Sequence, residues 1–261
     1  MLDTRTQIED LRLEVFADTA DMAAAAAAGT AEVLSRAVAE RGAARVVIAT
    51  GNSQLAFVTA LAGYDVPWSQ VTVFHMDEYV GIDANHPASF RRWIAERIAE
   101  PFGPARVEYI DGETPDVDAE CARYEALLRE SPIDLTCMGI GENGHLAFNE
   151  PGQAEFDDPR WVKPITLTPE SLHQQVGEGH FPDVASVPPT AISLTVPALL
   201  SARVVQVVAP EQRKAAAVRN TLTLPIDAAC PSTILRRTPH AKLYLDAASA
   251  AASLDLLPAT A

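Results

Sequence analysis

Between Gly139 and Gly152 the chain places an imidazole (His145), an amide (Asn143) and two carboxylates (Glu142 and Glu150) in one glycine-broken loop. A histidine flanked by groups that can orient it and take its proton is equipped for acid–base chemistry near neutral pH. The competing reading is a surface turn rich in Asn, Gly and Glu. The apolar Leu146, Ala147 and Phe148 that follow argue against an idle turn. An apolar run at 133–138 precedes the loop and reads as a buried strand, so the polar groups stand where a strand ends.

Two more polar clusters follow apolar runs in the same way. Thr50-Gly51-Asn52-Ser53 comes after 46–49 and ahead of a helical pattern. Gly51 permits a tight turn, and the arrangement suits phosphate or another anion; an ordinary strand-to-helix turn with a serine cap is the alternative. His75-Met76-Asp77-Glu78-Tyr79 comes after 71–74. Adjacent carboxylates where a buried strand emerges are costly unless solvated, paired or used. Arg91 and Arg92 on the next helical pattern are the expected partners if the cluster is only a salt-bridged strand end. His75 and Asp77, with His86 further on, raise a metal reading, but the chain shows no tight cluster with metal-ligand spacing. Gly139, Gly141 and Gly144 match G-x-G-x-x-G. That fingerprint should open a helix, and Pro151-Gly152 break the segment too soon for one.

Short β-rich runs alternate with helical patterns nearly from end to end. Strands are expected at 11–16, 45–49, 71–75, 107–110, 133–138, 191–196, 203–208 and 241–245. Helices are expected at 19–41, 54–61, 87–100, 117–129, 212–222 and 232–237. The alternation predicts an α/β fold: a Rossmann-like three-layer sandwich around a mostly parallel sheet. Ligands bind such sheets beyond the carboxyl ends of the strands. No linker or repeat divides residues 1–261, which read as a single α/β domain. The stretch 152–189, rich in Pro, Gly, Gln and His, reads as a lid-like insertion.

Composition excludes several classes. Hydrophobic residues make up 48% of 261, enough for a substantial core. Acidic residues outnumber basic ones 35 to 20, and a net charge of −15 repels nucleic acid and anionic membrane surfaces. An anionic small molecule must therefore be held by local donors. Three cysteines, Cys121, Cys137 and Cys230, are odd in number and widely spaced, which suits buried free thiols in a reducing cytoplasm. The alanine run at 23–28 lacks a basic leader and continues into Glu32 and Arg36, so it reads as a helix rather than a signal core. No apolar run reaches transmembrane length. Whether the chain is a monomer or homo-oligomer is open at this level.

Taken together, Met76-Asp77-Glu78-Tyr79-Val80-Gly81, His86-Pro87-Ala88-Ser89-Phe90, Gly139-Ile140-Gly141-x-Asn143-Gly144-His145 and Ala147-Phe148-Asn149-Glu150-Pro151 resemble the glucosamine-6-phosphate deaminase family, which shares its fold with 6-phosphogluconolactonases. The resemblance runs from about residue 45 to 248. Asp-Glu-Tyr and Phe-Asn-Glu-Pro look like the deaminase branch. It implies ketol isomerisation of an amino-sugar 6-phosphate coupled to loss of ammonia, in amino-sugar catabolism, with no metal or organic cofactor. Asp77 then matches the carboxylate that carries the proton from C2 to C1 of the open-chain sugar. His145 matches the group that opens the pyranose ring, Glu150 its carboxylate partner, and Asn143 an orienting residue. Thr50, Gly51, Asn52 and Ser53 match the phosphate turn, Lys214 a lysine on the same phosphate, and Glu78 and Gly144 further substrate contacts.

The chain departs from the family pattern at three places. Asn143 stands where familiar members often carry Asp; its carbonyl can orient His145, but only Glu150 can then stabilise an imidazolium by charge. The turn reads Thr-Gly-Asn-Ser-Gln where a second Thr or Ser followed by Pro is usual. Between Lys163 and Arg203 there is no Lys or Arg, although the family's lid brings a basic residue onto the phosphate. His180, Gln174 or Gln175 would have to replace a bidentate partner, or the sugar phosphate differs. Charge pattern alone leaves open whether Lys214 is a ligand or a solvated lysine beside Arg213. A sugar-lactone hydrolase and a non-catalytic sugar-phosphate sensor are the competing functions.

Overall fold

The structure is a computed structural model that describes residues 4–177, 179 and 181–258. Among them an eight-stranded sheet runs in the order β1-β2-β11-β10-β7-β3-β4-β6. Its members are β1 (Thr4–Ile8), β2 (Leu11–Phe16), β3 (Ala44–Ile48), β4 (Val71–His75), β6 (Arg106–Glu108), β7 (Leu135–Met138), β10 (Val204–Ala209) and β11 (Ala241–Asp246). Only the edge pair β1–β2 is antiparallel; the other pairings are parallel. Leu135–Met138 is buried at every position, as expected of a strand covered on both faces. The α/β fold with a mostly parallel sheet thus forms as the alternation predicted.

The helices are α1 (Thr19–Arg41), α2 (Leu55–Leu61), α3 (Phe90–Ile94), α4 (Glu100–Phe102), α5 (Val117–Arg129), α6 (Pro169–Gly177), α7 (Val196–Leu200), α8 (Ala215–Thr223) and α9 (Ala247–Ala250). α1 and α5 begin and end where the sequence pattern put them, because local chemistry sets their ends. Asp18 accepts the backbone N–H groups of Ala20 and Asp21, and Gly42 closes α1 in a left-handed conformation at φ 77°. Asp116 caps α5 through the N–H of Ala119. Small residues let α1 lie close on the sheet: Ala23, Ala26 and Ala27 are buried, and a Cβ on Gly29 would stand 2.9 Å from the Tyr244 hydroxyl.

One strand goes elsewhere than the alternation suggested. β9 (Thr190–Leu194) does not join the parallel sheet. It pairs antiparallel with β5 (Asp77–Tyr79) and β8 (Val162–Thr166) in a separate three-stranded sheet. β5 and β8 escape sequence reading, the first because it is three residues long and the second because Pro164 interrupts its pattern. Pro164 is tolerated because β8 is an edge strand.

β5 also shows what adjacent carboxylates do here. Successive side chains of a strand point to opposite faces, so Asp77 and Glu78 part company. Glu78 is buried at the start of α3. It accepts the backbone N–H groups of Tyr79, Phe90 and Arg91 and the hydroxyl of Ser89, at 2.7–3.2 Å. Burial pushes its pKa up, and these donors pull against that shift. The ion pairs to Arg91 and Arg92 that a merely salt-bridged strand end would require do not form. The Arg91 guanidinium goes to Asp111 and Glu113, and that of Arg92 to Glu96. Glu78→Ala orphans several buried donors at once and is expected to destabilise the fold by ~2–3 kcal/mol. Thermal unfolding checks this; an unchanged Tm would show that water replaces the carboxylate without loss.

Candidate active site

Outward from β3 the chain continues to β4 and β6 on one side, while β7, β10 and β11 lie on the other. The crevice at such a reversal is where open parallel sheets hold ligands. The cleft found there is lined by Thr50, Gly51, Asn52 and Ser53 after β3, by Asp77 after β4, by Ile140, Gly141 and His145 after β7, and by Lys214 after β10. Residues spread over 165 positions of sequence are thereby brought to one cavity (214 less 49, counting from Ala49 to Lys214).

Asp77 is 8% exposed. Burial, and secondarily the charge of Glu78, pushes its carboxyl up to about 8. A carboxyl so raised is a base matched to neutral pH. Its backbone is held by His75. The His75 Nε2 accepts the N–H of Ile110 and its Nδ1 donates to the Asp77 carbonyl, both at 2.9 Å. Both ring nitrogens are occupied and burial holds the ring pKa down to about 4, so the imidazole is neutral and closed to a metal. Among the described residues no group of three His, Cys, Asp or Glu side chains is placed to hold a metal ion.

His145 lies in a loop that holds no helix, so the glycine fingerprint opens no dinucleotide turn. Gly141 is obligatory here: a Cβ would stand 2.3 Å from three atoms of the His145 ring. Asn143 does not act as simply as the sequence suggested. Its carbonyl takes the main-chain N–H of His145 at 3.1 Å, while its amide donates to Glu150 at 3.0 Å. Glu150 is fully buried, with Oε1 3.7 Å from His145 Nδ1. Behind the cleft it also accepts the Ser171 hydroxyl and, at 3.4 Å, that of Thr168. The geometry is a histidine facing the cavity with a carboxylate behind it, steadied by one amide and two hydroxyls.

Nothing in the sequence marks Ser171 and Thr168 as site residues, since their contact with Glu150 spans separate elements. They come from the start of α6, which also sends Gln174 and Gln175 to the cleft. Gln175 accepts the Tyr79 hydroxyl at 2.7 Å. Two expected ligand contacts lie elsewhere. Glu78 is consumed at the start of α3, as above. Gly144, at φ 88°, packs against the turn at Cys230 and Ser232, where a Cβ would meet the Cys230 Sγ at 2.7 Å. His180 lies outside the described residues. The cysteines Cys121, Cys137 and Cys230 are free and buried.

The family described as glucosamine-6-phosphate isomerases/6-phosphogluconolactonase matches residues 17–244. The chain belongs to that family. A glucosamine-6-phosphate deaminase of Lactobacillus delbrueckii subsp. bulgaricus is 31% identical over 220 residues, 84% of this chain and 91% of that protein. One of Listeria monocytogenes serotype 4a is 34% identical over 199 residues, covering 76% and 83%. Among solved structures, a monomeric glucosamine-6-phosphate deaminase superposes with a TM-score of 0.85 at 25% identity, covering 92% of this chain and 99% of the other. A 6-phosphogluconolactonase from Shewanella baltica, at 20% identity and a TM-score of 0.74, covers 92% and 99% and shares the fold. Segments 76–81 and 139–145, on which the sequence resemblance rests, follow β4 and β7, and Asp77, Gly141 and His145 within them line the cleft.

Proposed function

We propose that the chain is an aldose–ketose isomerase and deaminase acting on an amino-sugar phosphate, glucosamine 6-phosphate or a close hexosamine relative, in amino-sugar catabolism. The observation that carries this is the convergence of Asp77, His145 and the Thr50–Ser53 turn with Lys214 on one cleft, in a family whose similar members are named deaminases. His145 moves a proton between the ring oxygen and the anomeric hydroxyl, and Glu150 behind it stabilises the imidazolium. Asp77 takes the C2 proton of the open-chain sugar and returns it to C1. The resulting C2 imine is hydrolysed, so water is consumed and the C–N bond breaks. The ammonium group of the substrate favours the charged form of Asp77 and lowers its raised pKa on binding. These steps need proton transfers and one water molecule, and no cofactor.

Lys214 is only 3% exposed although charged, and it opens onto the cleft beside the turn. That placement supports a phosphate ligand rather than a solvated lysine. Residues 1–261 are taken as one α/β domain, and the stretch 152–189 as a lid whose helix α6 brings Gln174 and Gln175 over the ligand. Three buried free thiols fit a cytoplasmic enzyme, and among the described residues no helix is long and apolar enough to cross a membrane. A monomer or a homo-oligomer would serve equally, and no nucleic-acid or membrane partner is invoked.

A coupled assay for ammonia across a panel of hexosamine phosphates tests the reaction. Release from none of them, with hydrolysis of a sugar-phosphate lactone instead, would move the chain to the lactonase branch. Lys214→Ala is expected to raise KM for the phosphorylated sugar by ~10-fold or more, the scale of a lost charged hydrogen bond. Activity on the unphosphorylated sugar should fall much less; equal losses would remove Lys214 from the phosphate.

A further inference from the structure

Resting on the reading of Thr50–Ser53 as the phosphate turn, we propose that Arg213 is a second cation of that anionic pole, a positioning residue that acts through the hydroxyl of Ser53. Arg213 precedes Lys214 in the turn Gln212–Lys214 and lies 160 positions from Ser53 in sequence. Its Nη2 nevertheless donates to Ser53 Oγ at 3.2 Å. A hydroxyl has one proton to give and two lone pairs. With a lone pair taken by a cation, the Ser53 proton is left for an acceptor, which Arg213 is not, and Ser53 is one of the residues that line the cleft. The guanidinium is set in place by two carboxylates, Nε on Glu211 at 2.7 Å and Nη1 on Glu142 at 3.2 Å. Glu211 itself is held at φ 76°, rare outside glycine, with its N–H on the Asp246 carboxylate. The strained turn therefore aims two consecutive cations, the buried Lys214 directly and Arg213 through Ser53, at one place.

This arrangement answers a deficit in the sequence, the absence of any Lys or Arg between Lys163 and Arg203. The charge that a lid would bring from above comes here from the β10 side. Arg213 lines an outer cleft that shares Asn52 and Gln174 with the inner one, so its charge stands at the rim while its contact is with Ser53. A serine whose proton is left to donate suits an acceptor-only ligand such as a phosphate dianion.

Calorimetric titration with inorganic phosphate tests this on the intact protein, using wild type, Arg213→Gln, Arg213→Lys, Ser53→Ala and the Arg213→Gln/Ser53→Ala double variant. Arg213→Gln is expected to weaken phosphate by ~10-fold or more. Arg213→Lys should recover part of that loss, because it keeps the charge and loses the planar fork. The double variant should bind about as weakly as the worse single one, as expected of residues acting as a unit. With the amino-sugar phosphate the loss should fall mainly on KM. Unchanged phosphate binding in Arg213→Gln, no recovery in Arg213→Lys, or losses that multiply in the double variant would each overturn the proposal. Wild-type protein that binds phosphate yet releases no ammonia from any hexosamine phosphate overturns the proposed reaction and leaves this inference standing. Wild-type protein that binds no phosphate overturns the anionic pole and this inference with it.

Discussion

Asp77→Asn is expected to cost ~10²–10⁴-fold in ammonia release, the usual range for losing a general base, and at the same time to stabilise the protein at alkaline pH. Both effects follow from one fact. The fold buries this carboxyl and raises it from 3.8 to about 8. Between those values the unfolded chain carries a charge at Asp77 that the folded chain resists, so wild-type stability falls as pH rises through this window. Below pH ~4 both states are protonated and the penalty vanishes; above pH ~8 it is complete. Asparagine keeps the shape and carries no such penalty. Thermal unfolding at pH 5 and pH 8.5 should therefore show the variant gaining on wild type as pH rises, by ~2–4 °C for each kcal/mol in a chain of this size. A gap that does not widen with pH would mean that Asp77 is ionised and paired in the fold. Near-normal turnover would reduce it to a strand-end carboxylate and withdraw the deaminase reading with it.

His145→Gln is expected to fail at a different step. Its ring sits beneath Gly141, and Nδ1 is 3.7 Å from Glu150; in the proposed reaction this pair serves the anomeric centre and Asp77 serves C2. Loss of ring opening should lower turnover of the cyclic sugar phosphate by ~10²-fold or more, leaving a residue carried by molecules that open spontaneously. An amino-sugar phosphate analogue that cannot cyclise should restore His145→Gln towards wild-type rates and leave Asp77→Asn inactive. Rescue of neither variant, or of both, would show that the two residues share one step. The contrast uses kinetics alone and does not depend on either variant's stability.

Much of the cleft lining is legible in the sequence, for reasons visible in particular residues. The strands Val71–His75 and Leu135–Met138 are apolar at the positions two covered faces require, so the polar residues following them had to stand at strand ends. Asp18 and Asp116 announce helix starts through their own local hydrogen bonds. Cysteine spacing carried over to three buried thiols. Glu78 was misplaced because β5 is too short to read as a strand; once Asp77–Tyr79 is a strand, Glu78 must face away from Asp77. Nothing local could have placed Arg213 on Ser53 or Ser171 on Glu150, since those contacts join elements 160 and 21 positions apart.

Legible in the sequence alone, therefore, were most of the polar residues that line the cleft, their order and their positions at strand ends. These depend on backbone periodicity and capping, which act over a few residues. The fold alone settles that Asp77 and not Glu78 faces the cleft, that Thr190–Leu194 pairs with Asp77–Tyr79 instead of entering the parallel sheet, and that the start of α6 delivers hydroxyls to Glu150. Those outcomes turn on burial. A carboxylate withdrawn from water must find donors wherever packing provides them, and packing joins segments whose separation along the chain carries no local signal.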